Sequence, residues 1–106
     1  MKIESIGKPQ GCKLLRITAD LSEPLGEASS IESISIRGDF FAVPEELFEA
    51  AEARLIGTKL ASLSTVFDGL MSEMGIQVVG ISGPGLLATL KRTIDELSMQ
   101  DPANRL

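Results

Sequence analysis

Leu63, Val66, Phe67, Leu70, Met71 and Met74 recur at i, i+3, i+4, i+7, i+8 and i+11. That is one unbroken apolar stripe at helical spacing, and it predicts a helix ended by Gly75. Upstream the period drops to two. In "KLLRITAD", residues 13–20, Leu15, Ile17 and Ala19 share one face while Arg16 and Thr18 take the other, the pattern of a half-buried strand. "IESISIRG", residues 31–38, repeats it, with Ile34 and Ile36 opposite Ser33, Ser35 and Arg37. The link between them, "LSEPLGEASS", is punctuated by Pro24 and Gly26. It is too short for a helical crossover, so the two strands pair antiparallel. "DFFAV", residues 39–43, continues as a short third strand.

Helices follow. Pro44 suits a first helical turn, where its missing N–H costs nothing. Glu45, Glu46 and Glu49 crowd that end, where the macrodipole favours negative charge. Leu47, Ala51 and Leu55 mark the expected buried face, and Gly57 the stop. After the Leu63–Met74 stripe, "IQVVGIS" reads as a short, extended connector. Pro84 opens a last helix with Leu86, Leu87, Leu90, Ile94 and Leu97 inward. Strands first and helices after predict a small α+β domain: a three-stranded antiparallel meander with three helices packed on one face. Residues 1–12, with Gly7, Pro9 and Gly11, read as an arm. Residues 13–98 read as the domain and 99–106 as a polar tail.

Charge and composition then narrow the function classes. Lys and Arg number 10 and Asp and Glu 15, a net charge of −5 in 106 residues. Such a balance argues against nucleic acid and against an anionic membrane surface as partners. No histidine and a single cysteine, Cys12, leave too few thiolate and imidazole ligands for a zinc or iron–sulfur site. The commonest general base near neutral pH is also missing. "SGPG" lacks a following Lys-Ser/Thr and is not a P-loop. No apolar h-region opens the chain, and no run reaches the ~20 apolar residues of a membrane span. The expected location is cytoplasmic.

One stretch has a structural account of its local shape that still leaves one aromatic ring facing outward. "IRGDFFAVPEE", residues 36–46, sets Gly38 and Asp39 before Phe40 and Phe41, two of only four aromatic residues. Gly38 permits a tight bend, and the Asp39 side chain can bond its own backbone two residues on and hold that turn. Successive strand side chains alternate, so one of Phe40 and Phe41 enters the core. The other faces outward, towards a partner or an overlying helix.

From Gly11 to Gly57 the chain resembles the C-terminal accessory domain of lipoate–protein ligases. The residues that carry the likeness are Gly38, Asp39, Phe40, Phe41, Pro44, Glu45, Glu46, Leu55 and Gly57, with the lead-in Gly11, Cys12, Lys13, Leu14, Leu15 and Arg16. Cys12 stands where that family usually has a second glycine. Beyond Gly57 only the helix pattern agrees. The resemblance implies an accessory subunit that works with a separate catalytic subunit. The pair would activate lipoate with ATP to lipoyl-AMP, before transfer to a lysine on lipoyl domains of 2-oxoacid dehydrogenase or glycine-cleavage proteins. Lipoate, ATP and Mg²⁺ would be held by the catalytic chain, and no cofactor or metal by this one. No residue here is expected to be catalytic. Lys13, Arg16, Gly38, Asp39, Phe40 and Phe41 would face the partner, although Lys13 and Arg16 equally fit an ordinary solvated strand face.

The implied fold is shared distantly with iron–sulfur scaffold and sulfur-acceptor proteins, which use cysteines near the same strand–helix junction and on the last helix. Here Asp39 occupies the junction, and "GPGLLATLKRTIDEL" has no thiol. Two alternatives stand beside the ligase reading: a sulfur relay through Cys12, and a non-catalytic interaction module with an exposed apolar patch.

Overall fold

The structure is a computed structural model and describes residues 1–100. Its order is β1 (Lys2–Gly7), β2 (Leu15–Leu21), β3 (Ile31–Gly38), β4 (Phe41–Val43), α1 (Glu45–Arg54), a 3₁₀ turn (Leu60–Ser62), α2 (Leu63–Glu73), β5 (Gln77–Val79) and α3 (Gly83–Gln100). The α+β class holds: among the described residues there are one three-stranded antiparallel sheet, one two-stranded ribbon and three helices.

The strands of that sheet differ from the expected set. Its order is β1-β2-β3, so Lys2–Gly7, read from sequence as part of an arm, forms an outer strand. Ile3 packs into the core, as does Ser5, whose hydroxyl donates to Thr93 Oγ1 of α3 at 2.6 Å. A satisfied polar side chain thus replaces the apolar one that alternation would require. β4 does not extend the meander. It leaves the sheet and pairs antiparallel with β5, Phe41 opposite Val79 and Val43 opposite Gln77. The reason lies at Gly38, where φ is +149° and the backbone passes against the Leu14 carbonyl. Asp39 N–H donates to that carbonyl at 2.9 Å, closing the turn that redirects the chain.

Leu15, Ile17, Ala19, Leu21, Ile31 and Ile36 form the inward face of the sheet. α3 lies along β1 and β2, α1 lies beside β3 and β4, and α2 packs on both helices. The stripe on α2 points as expected: Leu63, Phe67, Leu70 and Met71 are buried, while Val66 and Met74 are partly so. α3 buries Leu86, Leu90 and Ile94. Its start is tied down twice, by Ser82 Oγ accepting from Gly85 N–H at 3.1 Å and by Asp68 Oδ1 of α2 accepting from Gly83 N–H at 2.7 Å. Such caps satisfy amides that have no partner within the helix. Burial of each large aliphatic side chain contributes about 1.5–3 kcal/mol.

The expected α1 face holds at Ala51 and, at the helix C-cap, Leu55, and departs from expectation in the first turns, where Phe48 rather than Leu47 turns fully inward. Phe48, Ala51, Glu52 and Leu55 are buried, whereas Leu47 is only partly so. The inward Glu52 is accommodated because its Oε2 accepts from Ile36 N–H at 2.6 Å and meets Arg37 Nη1 at 3.5 Å. Among the described residues no helix is long and apolar enough to cross a membrane.

Candidate functional site

The register of the sheet gathers the expected site residues at one end. Leu15 pairs with Gly38 and Arg16 with Arg37, while Leu14 accepts the Asp39 N–H. Lys13 lies one step further on, its N–H donating to Gly80 O at 2.8 Å, directly after Val79 of the β4–β5 ribbon. Lys13, Arg16, Gly38, Asp39, Phe40 and Phe41 are therefore neighbours along one rim. The side chains of Lys13, Arg16 and Asp39 are exposed. The turn is closed by the backbone N–H of Asp39 on the Leu14 carbonyl, and not by the Asp39 side chain, which was expected to bond its own backbone and is exposed instead.

The two phenylalanines part as alternation requires. Phe40 turns inward and stacks at a tilt on Phe48, ring centroids 5.3 Å apart. Phe48 in turn meets Phe67 edge-on at 6.2 Å. Three of the four aromatic rings thus run as a chain from the surface into the core, an arrangement that gains beyond simple burial. Phe41, the fourth, is 71% exposed. Its cross-strand partner Val79 is 66% exposed, and Val43, two residues along the same face, is 45% exposed. Phe41, Val43 and Val79 form an apolar ridge on the outer side of the ribbon.

Beneath the ribbon's inner side lies a groove of about 270 Å³. Phe40, Ala42 and Phe48 make its apolar wall. Arg37 and Gly38 come from the end of β3, and Glu45 and Glu49 from the first turns of α1. Sequence reasoning missed this groove, because α1 was expected to turn Leu47 inward. The signal was present: Phe48, Ala51, Glu52 and Leu55 also fall at i, i+3, i+4 and i+7.

Cys12 is buried, not displayed. Its Sγ lies 3.6 Å from Ser82 Oγ, and a Cβ on Gly85 would meet it at 2.5 Å. The thiol fills the space that the glycine at the start of α3 leaves. Among the described residues no three of Cys, Asp and Glu approach closely enough to hold a metal ion.

No protein-family model matches the chain, and no curated protein matches it. A solved structure does. It belongs to the archaeal lipoylation system of Thermoplasma acidophilum, which comprises a bipartite lipoate protein ligase and its E2 lipoyl domain. The two chains share 26% identity, with a TM-score of 0.66, over 85% of this chain and 94% of that chain. The fold is lipoylation-related. The likeness spans nearly the whole of the matched chain.

Proposed function

We propose that the chain is the accessory subunit of a bipartite lipoate–protein ligase, acting with a catalytic subunit in the ATP-dependent activation of lipoate to lipoyl-AMP. The observation that carries this reading is the match along 94% of a chain from a lipoylation system made of a bipartite ligase and its lipoyl domain. The motif residues Gly38–Phe41 support it by falling on a strand end and turn, with Pro44 at a helix start, where the resemblance expects them. Lipoate, ATP and Mg²⁺ belong to the catalytic subunit in this reading, and lipoyl domains receive the product.

The role assigned to the chain is structural. Docking of the Phe41–Val43–Val79 ridge on the catalytic subunit excludes water and holds its nucleotide-binding segment in order. Closure of that kind strengthens electrostatic interactions around a reacting phosphate. Large exposed aromatic anchors commonly contribute more than 1 kcal/mol to such contacts. Phe41→Ala is therefore expected to weaken co-elution with a catalytic subunit by about fivefold or more. It should lower ATP-dependent lipoylation more than transfer from preformed lipoyl-AMP, with an unchanged melting temperature. Equal loss in both half-reactions, or no affinity of the parent chain for any ligase body, would overturn the proposal.

A further inference from the structure

The groove under the β4–β5 ribbon is a different surface from the ridge, since Phe40 and Ala42 face it while Phe41 and Val43 face away. Its volume of about 270 Å³ falls just below the range of ligand pockets and suits a single long side chain. Its chemistry is divided. One wall is apolar, built from Phe40 and Phe48, whose stacked rings are held from behind by Phe67. The other wall carries Glu45 and Glu49, both exposed and neither in an ion pair among the described residues. They sit four residues apart on α1, so their carboxylates share one helix face.

The charges around the groove do not cancel. Among the described residues Arg37 is the one cation on its lining, and its Nη1 is already committed to Glu52 Oε2 and to the Ile36 carbonyl at 2.9 Å. The positive end of the α1 dipole is worth about half a charge and is offset by Glu45 and Glu46 in the first turn. Glu49 lies beyond that turn. The groove therefore presents net negative charge over an aromatic floor. An alkyl stem against the rings and a cationic head between the carboxylates satisfy both halves, because a cation is also drawn to the face of an aromatic ring.

We infer that this groove is a docking site for a lysine side chain on a partner protein segment, with Phe40 and Phe48 receiving its methylenes and Glu45 and Glu49 its ammonium. The site goes beyond the ligase role and does not depend on it, because it is read on the isolated chain.

The test is an NMR titration of the full chain with the capped tripeptide acetyl-Gly-Lys-Gly-amide, and with acetyl-Gly-Gln-Gly-amide as the uncharged counterpart. The lysine peptide is expected to give saturable shifts at the amides of Gly38, Ala42 and Phe48. Its affinity should fall about two- to fivefold in Glu49→Gln and further in the double variant Glu45→Gln/Glu49→Gln, the scale of one exposed ion pair for each carboxylate. Added salt should weaken binding of the parent chain in the same direction, an arm that needs no variant to fold. Shifts confined to other surfaces, an equal response to the glutamine peptide, or an affinity indifferent to both salt and the carboxylates would overturn the inference. None of these results bears on whether Phe41 docks on a ligase.

Discussion

Replacing Gly38 by alanine separates two kinds of cost at one position. At φ +149° an L-residue is strained, by about 1–3 kcal/mol. The added Cβ would also lie well inside van der Waals contact of the Leu14 carbonyl oxygen. Relieving that clash pushes apart the backbones that Asp39 N–H and Leu14 C=O hold together, a hydrogen bond worth about 0.5–1.5 kcal/mol. The sum is about 2–4 kcal/mol. At about 4 °C per kcal/mol for a domain near 100 residues, the melting temperature should fall by roughly 8–16 °C. Gly57→Ala is the matched control. Gly57 also has positive φ, +89°, but a Cβ there meets nothing within 4 Å. Only the conformational cost of about 1–2 kcal/mol remains, or roughly 4–8 °C. Thermal melts of the two variants, monitored by circular dichroism, decide the matter. If Gly38→Ala is no more destabilising than Gly57→Ala, the close approach to Leu14 is not what fixes the turn.

Two further outcomes follow from contacts on β2, β3 and α1. Glu52→Ala leaves the Ile36 N–H without its acceptor and should cost about 2–3 kcal/mol, while Glu52→Gln, which keeps an acceptor oxygen, should cost clearly less; urea melts giving equal losses would refute the role of that hydrogen bond. Arg16→Glu converts the directly opposed Arg16–Arg37 pair from like to opposite charge. It should stabilise the chain by about 0.2–1 kcal/mol at low salt, with the gain shrinking as salt is added, so an unchanged or lowered midpoint at low salt would count against it.

The parts legible in the sequence are those governed by a single period. Leu63, Phe67, Leu70 and Met71 could be placed because a helix repeats every 3.6 residues whatever it packs on. Leu15, Ile17 and Ala19 on β2 obey alternation for the same reason. β1 was hidden because Ser5 occupies an inward position and Ile6 an outward one, 61% exposed, which cancels the strand signal. The β4–β5 pairing was hidden because it joins three-residue strands, too short for any period, across the whole of α1 and α2. At the site, alternation settled that Phe40 and Phe41 must part but not which turns inward. That depended on the ring of Phe48, and so on the rotation of α1. The groove inherits the same dependence, since it exists only once α1, β3 and β4 are together.

The carboxylate of Glu52 has a consequence for behaviour at high concentration. β3 is the outermost member of its sheet, and a bare margin of that kind invites another molecule to add a strand and start a polymer. Here that margin is occupied from within at two points, Ile31 and Ile36. Glu52 takes the Ile36 amide, the Thr58 carbonyl takes the Ile31 amide, and Gly57 N–H takes the Ile31 carbonyl. The chain thus carries its own stopper against sheet-to-sheet aggregation on that side, contributed by α1 and the loop that follows it.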